Sequence, residues 1–163
     1  MTTLAPTDAP AAHAAPTRAS RLREHFPHIA RDVKHFPVRD GEDPWTLAEI
    51  KDVASGLLDD RDRLAHELFV ADGELHDLLR NSGDGAGDDQ ADYGSSALER
   101  DQDLALVNNL RALLEQTEIA IDRIKEGTYA TCEASGLPIG KARLQAFPRA
   151  TLSVEAKAKQ ERR

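Results

Sequence analysis

Between residues 47 and 78 the apolar side chains recur at steps of three and four: Leu47, Ile50, Ala54, Leu57, then Leu64, Leu68, Ala71, Leu75 and Leu78. Arg61 is the one polar occupant of the series. This spacing paints one narrow stripe along an α-helix, and so narrow a stripe is covered by a second helix lying along it. The chain supplies that partner in a second run, Val107, Leu110, Leu114, Thr117, Ile121 and Ile124. The run begins less regularly, with Leu98, Leu104 and Leu106, and ends at Gly127, a natural C-cap. Between the two stripes, Asn81 to Asp89 holds three glycines and repeated Asp, which remove helix propensity. Two helices of about 33 residues joined by one loop make an antiparallel hairpin, each arm roughly 50 Å long at ~1.5 Å per residue. The expected fold is therefore all-α, with the loop far from whatever lies at the other end.

The flanks divide the rest. Residues 1–20 are mostly Ala, Pro and Thr, with nothing large to bury, and read as a disordered tail. Residues 21–45 are cut by Pro27, Pro37 and Pro44 and have room for one short helix around 20–35. Thr46-Leu47-Ala48-Glu49 is a capping-box pattern that starts the hairpin, with Trp45 before it as a staple or a lid on the hairpin base. The hairpin then occupies 46–127, with its tip loop near 81–95, and residues 128–163 form a small C-terminal module. In that module Lys141–Ala146 and residues 152–163 can each be helical. Leu137, Ile139, Leu144, Phe147, Leu152 and Val154 are the apolar groups available to seat it against the hairpin.

Composition removes several classes of function. Aromatic residues make up only 4% of the 163, which argues against a large globular core. The formal charge of −8 is uneven: residues 137–163 carry +5 and the first 136 carry −13. So acidic a surface does not grip a phosphate backbone, and sequence-specific DNA binding is not expected. The C-terminal basic residues, among them Lys141, Arg143, Arg149 and Lys157, are the one candidate contact patch. A single cysteine excludes an internal disulfide, no apolar run spans a bilayer, and the start of the chain has no signal-peptide h-region, so a cytoplasmic monomer is expected. His25 and His28 lack a partner set for a metal. Walker, G-x-S-x-G and H-E-x-x-H patterns do not occur, and a protruding acidic loop offers no pocket to tune pKa values, so an enzyme is not expected.

Within residues 131–156, TCEASGLPIGKARLQAFPRATLSVEA, four places follow the spacing of a C-x2-C…C-x2-C zinc site. They hold Cys132, Ser135, Ser153 and Ala156. The wording TCEASG followed by GLPIGKARLQAFPRATL resembles the C-terminal zinc-finger region of the DksA/TraR family of bacterial transcription regulators, in which each place is a cysteine. One thiol, two hydroxyls and a methyl do not bind zinc as four thiolates do, so no cofactor is expected and zinc is not expected. Cys132 is then a small buried apolar residue, with Ser135 and Ser153 closing the knuckle through local hydrogen bonds.

The resemblance covers residues 46–163 and implies an RNA polymerase-binding regulator that reaches through the enzyme's secondary channel. Members of the family carry a D-x-x-D-x-A pattern at the coiled-coil tip. Counting back from the shared Cys-Glu dipeptide puts Asp89 and Asp92 on its two aspartates and Gly94 on its alanine. The family's basic nucleotide-binding places are only partly kept: Lys157 matches one, while Gln116 and Phe147 stand at others, so ppGpp is not expected as a cofactor. Two other readings stay open at this point. One is a coiled-coil adaptor that binds a protein through its rod; the other is a DNA-binding module that uses the basic C-terminus.

Overall fold

The computed structural model describes residues 15–81 and 90–162. Its regular elements among the described residues are helices, with one isolated β-bridge, Thr131 to Pro138. Helix α1 (Arg18–His25) is capped by Thr17, whose hydroxyl accepts from the Ser20 N–H at 3.2 Å. Of the tail expected over residues 1–20, residues 1–14 lie outside the described residues, and Arg18 to Ser20 belong to α1. The reason lies elsewhere in the sequence, because Arg18 pairs with Asp52, and Arg21 with Asp59 at 2.7 Å and Asp62 at 2.6 Å, while Leu22 is buried. Helix α2 (Ile29–Asp32) runs directly into a 3₁₀ turn, Val33–His35. The segment before the hairpin therefore holds two short helices, split at Pro27, rather than one.

Two long helices follow, α3 (Leu47–Asn81) and α4 (Gln90–Glu126). They lie side by side and antiparallel, with Arg111 of α4 paired to Asp72 of α3 at 2.6 Å. α3 starts on the capping box: the Thr46 N–H donates to Glu49 Oε2 at 2.8 Å and the Glu49 N–H to Thr46 Oγ1 at 3.2 Å. α4 stops at Gly127, which takes φ +74°, and the N–H groups of Thr128 and Tyr129 close back on the Arg123 carbonyl at 2.9 and 3.0 Å. The tip loop expected over 81–95 is shorter, since α4 already contains Ala91 to Ser95. A single glycine costs about 1 kcal/mol in a helix interior, and Gly94 is absorbed into a long element rich in Ala, Leu, Glu and Arg.

The seam residues bury as their spacing demands, but the two halves of the rod differ. Around its base Ile50, Ala54, Leu57 and Leu58 of α3 and Ala120, Ile121 and Ile124 of α4 join Leu22, Phe26, Ile29, Val33, Phe36 and Trp45 from the N-terminal segment and Tyr129, Ile139 and Leu144 from the module in one core. Higher up, Leu64, Ala71, Leu75, Val107 and Leu110 form a separate cluster. Helix α5 (Lys141–Ala146) and helix α6 (Val154–Glu161) complete the chain. Of the six apolar groups expected to seat the module, Ile139 and Leu144 are fully buried, whereas Leu137, Phe147 and Val154 are exposed. Tyr129, at the start of the module, takes over much of that role: its ring meets Phe36 edge-on and its hydroxyl donates to the Pro148 carbonyl at 3.0 Å. Burial pushes the Tyr129 phenol well above its ordinary range.

Candidate functional site: the C-terminal module and its joint with the hairpin

The chain makes a tight knuckle after Tyr129. Ala130 adopts a left-handed φ of +70°, which lets the Ile139 N–H reach its carbonyl at 2.7 Å, and the Cys132 N–H donates to the Leu137 carbonyl at 2.8 Å. The Gly136 N–H returns to the Cys132 carbonyl at 2.8 Å. Arg123, from the last turn of α4, donates to the carbonyls of Thr128 and Thr131 and so ties the knuckle to the end of the rod.

The four places of the zinc-finger spacing come together here. The Ser153 N–H donates to Cys132 Sγ at 3.3 Å, so the second pair of places lies against the first. Ser153 is also the N-cap of α6, and its hydroxyl accepts from the Ala156 N–H at 3.2 Å. Ser135 Oγ accepts from the Leu137 N–H at 3.3 Å. Cys132 is only 1% exposed, yet it is more than an apolar filler. Burial pushes its thiol up, but the Ser135 hydroxyl and the backbone N–H groups of Ser153, Ser135 and Ala134 outweigh that and bring it down to about 7. A groove of about 870 Å³ opens beside these residues, lined by Val38, Arg39, Ser135, Leu137, Ser153 and Glu155 among others, and the Arg39–Glu155 ion pair at 2.5 Å stands at it.

The basic residues considered as a contact patch behave differently from one another. Lys141, Arg143 and Arg149 are half-buried and donate to internal acceptors: Lys141 to Glu49, Arg143 to the Leu152 carbonyl at 3.0 Å, Arg149 to Thr117 Oγ1 at 3.3 Å. Lys157 is exposed, with Glu161 at 3.8 Å. Asp89 lies outside the described residues. Asp92 and Gly94 fall within α4, and Gly94 is exposed with open space around it.

The joint between the module and the start of the hairpin was only half legible in the sequence. Glu49 shows itself there as the N3 residue of a capping box, but its second partner, Lys141, is 92 residues away. The Lys141 ammonium sits 2.9 Å from Glu49 Oε1 and 5.2 Å from the centre of the Trp45 ring. Hydrogen bonding from the Thr46 backbone, then from Lys141 and the Thr46 hydroxyl, holds the Glu49 carboxyl down at about 2. Glu42, which no sequence pattern marked, accepts from the Lys141 N–H with both oxygens, at 3.0 and 3.2 Å, and thereby caps α5.

With this geometry in place, comparison with known proteins is decisive. Residues 127–162 match the family model of the prokaryotic DksA/TraR C4-type zinc finger. A solved structure described as transcription factor DksA2 from Pseudomonas aeruginosa is 34% identical, with a TM-score of 0.57, over 71% of this chain and 84% of that one. The chain belongs to the DksA/TraR family. Among DksA/TraR relatives, the RNA polymerase-binding transcription factor DksA of Caulobacter vibrioides is 44% identical over 75 residues, 46% of this chain and 53% of that protein. General stress protein 16O of Bacillus subtilis is 38% identical over 74 residues, 45% of each. The chain thus spans about half the length of the curated relatives it matches, and those relatives that are named for a function are named for transcription or stress rather than for an enzyme activity.

Membership corrects one expectation. The module matches a C4-type zinc-finger family, so the reading of a chain without zinc or any other cofactor is overturned. What differs in this DksA/TraR member is its donor set. One thiol, two serine hydroxyls and an alanine methyl do not form a tetrahedral thiolate set, and among the described residues no group of three or more His, Cys, Asp or Glu is placed to hold a metal ion.

Proposed function

We propose that this protein is a transcription regulator that binds RNA polymerase and carries Asp89, Asp92 and Gly94, at the far end of its hairpin, into the secondary channel to alter initiation. The observation that carries this reading is a long two-helix rod, whose connecting sequence is rich in Asp, in a chain that covers 84% of a DksA2 structure. A rod of 35 and 37 residues is far longer than the base core needs, so its length serves reach. The tip presents carboxylates, which act on basic or metal-binding groups of a partner enzyme, and the rod presents a narrow profile able to enter a channel. The protein works as a cytoplasmic monomer, since each hairpin arm already covers the other's apolar stripe. It makes no sequence-specific DNA contacts of its own, because three of its candidate basic residues are spent on internal acceptors.

The test separates binding from effect. The variant with Asp89→Asn and Asp92→Asn keeps side-chain size and removes the charge. It is expected to bind core RNA polymerase nearly as the wild type does while losing most of the effect on promoter-complex lifetime. Equal effects from both proteins would refute the tip mechanism. A second reading, an adaptor that binds through its rod, is favoured by Phe69, which is 79% exposed on α3. Phe69→Ser would then abolish partner capture, whereas the channel reading expects little change.

A further inference from the structure

We propose that Lys141 is a positioning residue that fixes the angle between the C-terminal module and the rod, and so aims the tip. This rests on the polymerase reading above and specifies how the tip is placed.

The argument begins with what holds the two bodies together. Trp45, Tyr129, Ile139 and Leu144 bury apolar surface where the module meets the hairpin, but apolar burial is non-directional and permits sliding and rotation. Direction must come from polar contacts with defined geometry: Arg123 and Arg149 tie the module to α4 and Arg39 ties it to the N-terminal segment, while the contacts that tie it to the start of α3 converge on Lys141. The Lys141 backbone N–H, at the first turn of α5, donates to both oxygens of Glu42. Its ammonium reaches Glu49, at the first turn of α3, and approaches the Pro44 carbonyl at 3.4 Å. One side chain thus joins the start of the module's helix to the start of the rod.

The environment of this lysine supports a geometric role. Its side chain is only 13% exposed, against the face of Trp45. Placing an ammonium there costs desolvation that the ion pair offsets but does not clearly exceed, so an apolar residue of similar size would serve stability at least as well. An ion pair supplies a fixed distance and direction that an apolar residue lacks. Gly140 shows how closely the parts are fitted: a Cβ there would meet Glu42 Oε1 and Arg39 Cδ, each at 3.3 Å. The rod then acts as a lever. At ~1.5 Å per residue α3 is about 50 Å long, so a rotation of only about 5° at the base displaces its far end by roughly 4–5 Å. That exceeds the width of a hydrogen-bond contact.

Residual dipolar couplings on the full-length ¹⁵N-labelled protein test this directly, because they report the relative orientation of α3 and α4 against α5 and α6. In the wild type both sets of amides should fit one alignment tensor. Glu49→Gln removes the charge pair but keeps the capping box, for which Gln is equally suited. It should give two tensors, with a reduced magnitude for the module. Lys141→Met should do the same and Lys141→Arg should not. If Lys141→Met does not fold, Glu49→Gln decides. One shared tensor in Glu49→Gln would overturn the proposal. In transcription assays Glu49→Gln should bind polymerase as the wild type does and show a weaker effect on promoter-complex lifetime. Separate tensors with an undiminished effect would overturn the aiming role and leave the polymerase reading intact. Failure of the wild type to bind polymerase would refute that reading, with the tensors still deciding whether Lys141 sets the angle.

Discussion

The base of the hairpin and its upper half are built from the same two helices and the same leucine spacing, yet they are held by different amounts of structure. At the base, α3 and α4 are enclosed by the N-terminal segment on one side and the module on the other, so that Ile50, Leu57, Leu58 and Ile124 are almost completely buried. Above Leu64, among the described residues, the buried apolar cluster comes from α3 and α4 alone, and Phe69, Val70, Leu104 and Leu106 are exposed. Two helices alone can bury a stripe, whereas a third and fourth element bury a face. Stability in this protein should therefore fall along the rod, with the base opening only in global unfolding and the upper rod opening locally.

Core truncations give the largest test of that gradient. Ile50→Ala, at a site with no exposed surface, should cost about 2–5 kcal/mol and lower the melting temperature of the whole chain in a single transition. If heat capacity and circular dichroism instead showed the rod melting apart from an intact module, the shared core would be misassigned. Leu75→Ala in the upper cluster should cost less, toward the ~2 kcal/mol end of the range for such truncations, because its neighbours can close in on the space. Hydrogen exchange should accelerate around residues 68–78 and 104–114 while the amides of residues 50–58 stay protected. Uniform acceleration in both regions would erase the distinction between base and upper rod.

Two smaller effects sharpen the comparison at the module. Ser153→Ala removes the cap of α6 and should cost about 1 kcal/mol, a usual value for loss of an N-cap. Chemical denaturation will show it, and restoration by Ser153→Asp would identify the cap as the cause. The least effect is on acid stability. Folded Glu49 holds its proton less tightly than the ordinary value of 4.5 and titrates at about 2. Its contribution is therefore complete above about pH 4.5 and is lost as the pH falls toward 2. Glu49→Gln should be less stable than the wild type at pH 7, and the gap should narrow on acidification through that window. A gap independent of pH would remove the Lys141–Glu49 pair from the account of what holds the base.

The sequence alone determined the hairpin, because a repeat of three and four is a local geometric property: any α-helix with that spacing carries an apolar stripe, and a glycine- and aspartate-rich break sends the second helix back along the first. It also determined the capping box, where Thr46 and Glu49 are three residues apart, and it brought the four places of the zinc-finger spacing into register. Tertiary structure decided matters that depend on residues distant in the chain. Arg18 finds Asp52 and Arg21 finds Asp59 and Asp62, and so the helix expected from about residue 20 starts at Arg18 under a Thr17 cap. Among the module's apolar residues, composition does not distinguish Leu144 from Leu137, and only the position of the hairpin surface buries one and exposes the other. Lys141 reads as one of several surface cations, but turns inward because Glu42, Glu49 and Trp45 meet where the module is seated. Local patterns specify elements because their interactions lie within a turn or two of helix; the environment of a charge is set by everything that surrounds it in space.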